Sequence, residues 1–298
     1  MSNLNSPRIL IADDQDSLRK LLVKYMLKAG LEPIEAENGK RAIELYRLMR
    51  PSVVLSDIMM PEMDGLTLLK EIKKIDKQAV VILMTGYGTE EVLIESLRGG
   101  AANYFKKPFN FHEVIEAIKH ILKYRADLDS AQYYSPFITE DKKKFVFNTE
   151  EADIYPIINQ ITINLARLVP TGEILNLKIG MEEILKNAIE HGNLNISAEE
   201  KNQAIEQGVF GKLINSRLKQ NSNGCKQINI TAKLDRESFS VTIRDQGKGF
   251  DWKSLPQLTA QSLLSFSGRG ILLTRIYFDE VLYNEVGNEV TLVKHVSC

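Results

Sequence analysis

Cysteine is nearly absent from this sequence: 298 residues contain only Cys225 and Cys298. Two isolated thiols exclude a disulfide framework, and their spacing offers no zinc site. Long apolar runs are missing as well. No stretch approaches the ~18 residues a membrane helix needs. The N-terminal MSNLNSPR has no apolar core of the kind that forms a signal sequence, so a cytoplasmic protein without membrane association is expected. Charge of one sign is not in excess either: Lys+Arg number 38 against 39 Asp+Glu, a net of −1. Without a basic field or a helix-turn-helix pattern, direct nucleic-acid binding is not expected. Internal repeats and low-complexity tracts are also lacking. What remains is the composition of a globular chain, 44% hydrophobic and 26% charged, long enough for two domains of about 100–150 residues each.

The chain is organised around VVLSDIMMPEMDG, Val53 to Gly65. An apolar, β-like run ends in Asp57, and Met59, Pro61 and Gly65 follow in a turn ahead of a new helix. One acid at a strand end is ordinary, since carboxylates also cap helices. Its companions are less so. The run Ile9 to Ala12 closes in Asp13-Asp14, Val80 to Met84 in Thr85-Gly86, and Ala102 to Phe105 in Lys106-Lys107-Pro108. Between such runs lie helical patterns: Leu18, Leu21, Leu22, Tyr25 and Met26 at i, i+3, i+4 spacing until Gly30, then Gly39 to Met49, and finally Phe111 to Lys123. Five strands alternating with five helices predict an α/β domain, a doubly wound parallel sheet with helices on both faces. The carboxyl ends of its strands converge on one rim at the switch point. Three carboxylates, a hydroxyl and an ammonium there suit phosphoryl transfer. Hard oxygens hold Mg2+, Asp57 can attack phosphorus, and Lys107 with Thr85 can hold phosphoryl oxygens.

Over the whole segment 7–124, and at all five signature positions, the sequence resembles a two-component response-regulator receiver domain of flavodoxin-like fold. The resemblance implies Asp57 as phosphoacceptor, Asp13 and Asp14 beside it as acidic metal-site residues, and the Met59 carbonyl as a further Mg2+ ligand. Thr85, Tyr104 and Lys107 would form the switch set. Lys107 is chosen over Lys106 because the family's lysine directly precedes a proline, here Pro108. An upstream sensor histidine kinase is the implied phosphodonor. His112-Glu113 opens the last helix and is read as a solvated or capping pair.

Residues 125–142 lose this pattern and are expected to form a linker, leaving 143–298 as the second domain. KKFVFN reads as an edge strand, and Ala152 to Leu168 as one amphipathic helix with Pro156 in its first turn. In Glu173 to Asn193, Met181, Ile184, Leu185, Ala188 and Ile189 make a core face. Glu183, Asn187 and Glu190 then fall on the opposite face, with His191 at the border. Downstream, INITAKL and SFSVTIR alternate as a hairpin and run into Asp245-Gln246-Gly247-Lys248-Gly249. Ser267-Gly268-Arg269-Gly270 opens another helix, and EVLYN with NEVTLVK forms a last hairpin. Ser197-x-x-Glu200 is a capping box, and Phe210, Leu213, Ile214 and Leu218 mark an apolar face within a 196–221 insertion.

The order Glu-x-x-x-Asn, Asp-x-Gly-x-Gly, Gly-x-Gly resembles the nucleotide-binding ATPase module shared by histidine kinases, gyrase, the Hsp90 chaperone and anti-sigma-factor serine kinases. Its fold is a two-layer α/β sandwich. EEILKNAIEHGN, the short spacing between later boxes and GRGILLTRIYFDEV favour the last branch. Carried over by position, Asn187 would ligate Mg2+, Glu183 would be the general base and Asp245 would bond the adenine amino group of ATP. Gly247 and Gly249 would hinge a lid, and Gly268 and Gly270 would sit near the phosphates. The resemblance thus implies a response regulator whose output is an ATP-binding serine kinase. Its partner would be an anti-sigma antagonist protein with a phosphorylatable serine, or a sigma factor, and a homodimer is a further expectation. Two alternatives stand beside it. One is an ATP-shaped binding module without transfer. The other is a hybrid histidine kinase, for which no helical hairpin with a phosphoacceptor histidine lies between the domains.

Overall fold

The structure, a computed structural model, describes residues 6–86, 95–97, 99–130, 138–165, 168–169, 171–220, 223–254 and 269–296. They divide into two compact units. No helix among the described residues is long and apolar enough to cross a membrane.

In the first unit, β1 (Arg8–Ala12), β2 (Glu32–Ala36), β3 (Val53–Asp57), β4 (Val81–Thr85) and β5 (Asn103–Lys106) form one parallel sheet in the order β2-β1-β3-β4-β5. The strand order reverses between β1 and β3, which makes that gap the switch point. All five residues of β3 and of β4 are buried, as continuous apolar runs require when both faces are covered. The helices are α1 (Asp16–Lys28), α2 (Gly39–Met49), α3 (Gly65–Ile75) and α4 (Phe111–Ser130), and residues 95–97 are also helical. Asn38 caps α2 by accepting from the Arg41 amide, and Asp64 caps α3 by accepting from that of Thr67. Helix α4 continues past Lys123, because Ile118, Ile121 and Tyr124 extend its buried stripe and Arg125 donates to the Ser52 carbonyl at 2.9 Å. The stretch read as a linker therefore begins as helix.

The second unit has an antiparallel sheet in the order β6-β7-β8-β10-β9. Its strands are β6 (Asp141–Asn148), β7 (Gln227–Leu234), β8 (Ser238–Arg244), β9 (Glu280–Tyr283) and β10 (Glu289–His295). Ile228, Ile230, Ala232 and Leu234 of β7 alternate inward, as do Phe239, Val241 and Ile243 of β8. The buried sides of α5 (Ile154–Thr162), of α6 (Thr171–Asn187) from Asn176 onward and of α9 (Arg269–Tyr277) supply the helical layer. The helix expected over Ala152–Leu168 is shorter. It starts at the Asp153 cap and stops at Thr162, whose hydroxyl bonds back to the Ile158 carbonyl at 2.8 Å within a β-branched run. Ser197 and Glu200 form their capping box ahead of α7 (Ala198–Glu206). The apolar face of α8 (Phe210–Leu218) is only half-buried.

One expectation fails at the end of α6. Glu190 was placed on the polar face with Glu183 and Asn187, yet it is buried and paired with Lys201 at 2.6 Å. The reason is a π-helical turn, Ala188–Asn193, directly after Asn187. A wider turn adds a residue per revolution, so an α-helical wheel misplaces everything beyond it. Ile189, assigned to the core, is correspondingly only half-buried.

Candidate functional site

On the carboxyl rim of the parallel sheet, Asp13, Asp14, Asp57, Thr85 and Lys107 arrive from four strands. Ligand oxygens of the three aspartates lie within 4.8 Å of one another. Asp13 and Asp57 are buried, whereas Asp14 is exposed. The Lys107 ammonium donates to Asp13 Oδ2 at 2.8 Å and to Asp57 Oδ2 at 2.7 Å. Two atoms are left over: Asp57 Oδ1 and Thr85 Oγ1 are buried without a hydrogen-bond partner. Buried polar atoms seldom stay unpaired, so the rim is built to receive something. Clustered hard oxygens fit Mg2+, and a hydroxyl with an ammonium fits phosphoryl oxygens. Met59, in the loop after β3, has its side chain largely exposed. Tyr104 is buried in β5, and the Lys107–Pro108 peptide is cis.

Burial raises the Asp57 carboxyl above its ordinary range; the Lys107 ammonium opposes this and the Asp13 charge adds to it. A carboxyl with a raised folded-state pKa contributes stability at pH below its unfolded value, about 3.9, and that contribution is lost as pH rises through the folded value. Ionised Asp57 is thus a net cost at neutral pH. Asp57→Asn is expected to raise the melting temperature at pH 7, with the gain shrinking toward pH 3. Equal melting curves at both pH values would contradict this.

The support behind this rim carries no motif in the sequence. A Cβ at Gly65 would stand 2.2 Å from the Asp57 carbonyl oxygen, so only glycine lets α3 start this close to β3. Glu62, at φ 62° in the intervening loop, accepts from Asn38 Nδ2 at 2.8 Å, tying that loop to the start of α2. That bond spans 24 residues, which no local pattern announces.

The second unit brings two pairs together. Glu183 and Asn187 sit half-buried one helical turn apart on α6. A Cβ at Gly270 would fall 2.3 Å from Glu183 Oε2, and Thr274 Oγ1 bonds the Gly180 carbonyl at 3.1 Å, so the start of α9 lies against the Glu183 side chain. Asp245 follows β8, and its Oδ1 accepts from the Gly247 amide at 2.7 Å. A Cβ at Gly192 would meet Asp245 Cγ at 2.6 Å. Burial raises the Asp245 carboxyl, against the Gly247 hydrogen bond. Gly249, at φ 74°, approaches the Val286 carbonyl of the last hairpin. Gly268 lies outside the described residues. A hard amide oxygen, a carboxylate beside a glycine-opened helix start and a second carboxylate cradled by glycine are a donor set that fits ATP with Mg2+.

A doubly wound parallel sheet with an acidic rim is thus followed by an antiparallel sheet whose adjoining loops carry Gly247 and Gly249. Residues 9–119 match the response regulator receiver domain and residues 147–294 the histidine kinase-like ATPase domain. The first part is 44% identical over 116 residues to the chemotaxis protein CheY of Bacillus subtilis, covering 39% of this chain and 97% of that protein. It is 40% identical over 117 residues to CheY of Thermotoga maritima, with 39% and 98% covered. A solved receiver domain protein from Clostridium thermocellum is 26% identical, with a TM-score of 0.39 over 40% of this chain and 97% of that one. The chain belongs to the response regulators and carries a histidine kinase-like ATPase domain after its receiver.

Proposed function

We propose that this response regulator acts through an ATP-dependent serine/threonine protein kinase of the anti-sigma-factor type, with residues 7–124 as its input domain and 143–298 as its output. The observation that supports the input half is the unpaired Asp57 Oδ1 beside Thr85 Oγ1 and Lys107. Asp57 attacks the phosphorus of a phosphohistidine on an upstream sensor kinase. An O–P bond forms, the N–P bond breaks, and an aspartyl phosphate results. Lys107 and Thr85 then hold phosphoryl oxygens, and Tyr104 completes the switch set. Asp13, Asp14, Asp57 and the Met59 carbonyl would hold Mg2+, which when bound neutralises phosphoryl charge.

In the output half, Asp245 would accept from the adenine amino group, and Asn187 would be an uncharged Mg2+ ligand that does not repel triphosphate. Glu183 takes the proton of a protein serine hydroxyl as its oxygen attacks the γ-phosphorus and ADP leaves. Gly247 and Gly249 would hinge a lid, and Gly270 would sit near the phosphates. The substrate is an anti-sigma antagonist protein carrying a phosphorylatable serine; a sigma factor is the alternative ligand. The close approach of Gly270 to Glu183 supports placing the carboxylate beside the phosphates.

Labelled ATP incubated with the chain and a candidate partner tests the reading, since phosphoserine survives acid and phosphohistidine does not. Acid-stable label on the partner is expected. A partner that binds but never carries label would make the ATPase domain a binding module. Two variants separate the nucleotide contacts: Asn187→Ala should remove the Mg2+-dependent part of ATP affinity, while Asp245→Ala should weaken ADP and ATP alike. The single tryptophan, Trp252, lies just after the Asp245–Gly249 loop and stacks on Tyr283 at 6.0 Å, so its fluorescence can report both titrations.

A further inference from the structure

A fully enclosed polar group near the ATPase loops is Asn193, the last residue of the EEILKNAIEHGN box, to which the resemblance gives no role. It closes the π-helical turn and has no exposed surface. Its side chain is fully used: Nδ2 donates to Thr149 Oγ1 at 2.8 Å and to the Gln227 carbonyl at 3.3 Å, and Oδ1 accepts from the Gln246 amide at 2.8 Å. Its own carbonyl accepts from the Lys226 ammonium at 2.7 Å. Gln246 is locked a second time, because its side-chain oxygen accepts from the Gln227 amide at 2.9 Å. Asp245 immediately precedes Gln246, and its carboxylate lies against Gly192, the residue just before Asn193. One buried amide thus holds together the start of the turn that follows β6, the start of β7 and the loop that carries Asp245.

We infer that Asn193 is a positioning residue for base recognition, fixing the Asp245 carboxylate where it accepts from an exocyclic amine and repels a carbonyl oxygen. Adenine offers an amine at that position and guanine an oxygen, so a fixed carboxylate selects adenine nucleotides whereas a mobile one selects less. The inference rests on the proposed nucleotide site. The π turn has a purpose in this scheme: it swings Gly192 under the carboxylate and Asn193 under the loop, two neighbours doing one job.

The test is a double-mutant cycle on the full chain, with ADP and GDP affinities read from Trp252 fluorescence and melting temperature measured alongside. Asn193→Ala should weaken ADP about tenfold, in keeping with one lost buried hydrogen bond, while GDP changes less than twofold. In the Asp245→Ala background the same change should add almost nothing, because the group being positioned is gone. Thr149→Val removes the anchor of Asn193 Nδ2 yet keeps the Oδ1 acceptor for the Gln246 amide, so it should give the same ADP-selective loss at smaller amplitude; it also serves if the alanine variant does not fold. Equal losses for ADP and GDP, or the same factor with and without Asp245, would make Asn193 a structural residue only. If Asp245→Ala itself leaves ADP affinity unchanged, the nucleotide site is wrong and the inference falls with it.

Discussion

Asp57→Ala is expected to abolish phosphoryl labelling of this chain by acetyl phosphate in the presence of Mg2+, while the unmodified chain gains a base-labile acyl phosphate. The expectation rests on geometry. Asp57 is the rim carboxylate that is buried, keeps one oxygen without a partner and stands 2.7 Å from the lysine that would receive the transferred group. Asp13 cannot replace it as nucleophile without giving up its bond from the Gln15 amide at 2.8 Å and its ion pair with Lys107. Lys107→Ala should leave some labelling but weaken the response to it, since the ammonium holds the product oxygens rather than making the new bond. Label at full yield in Asp57→Ala would place the phosphoacceptor elsewhere.

The second large effect is expected at Glu183. If its carboxylate removes the serine proton, Glu183→Ala should lower phosphoryl transfer to the partner by about 10²–10⁴-fold, the usual weight of a general base, with ATP affinity nearly intact. Gly270→Ala gives an independent check. A methyl placed 2.3 Å from Glu183 Oε2 must displace the carboxylate or the start of α9, so transfer should fall by a comparable factor although no ionisable group has changed. Parallel losses in the two variants tie the effect to the position of the carboxylate. Transfer at the original rate in Glu183→Ala would remove the residue from the chemistry.

The two halves differ in how much of them could be read beforehand. In the first, every rim residue falls within two positions of the end of a strand-like run, and a parallel sheet turns that local pattern into a shared edge without further information. In the second, the motifs were visible, yet their environment was not. Glu190 was assigned by an α-helical wheel that the π turn invalidates, and the Ala152–Leu168 pattern ran on past a threonine that ends the helix. Asn193 and Gln246 are 53 residues apart, and nothing in either local sequence announces the bond.

By itself the sequence determined the order of strands and helices, the acids, hydroxyl and lysine at the strand ends, and the three glycine- and acid-bearing boxes, because periodicity and strand termini are local properties of a chain. Only the tertiary structure decided which oxygens on the rim are left without partners, that Glu62 is tied to Asn38, and that Gly192 and Asn193 meet the Asp245 loop. Those are choices between hydrogen-bond partners brought together by packing. They depend on where distant backbone segments come to rest, and a residue's own neighbours in sequence carry no record of that.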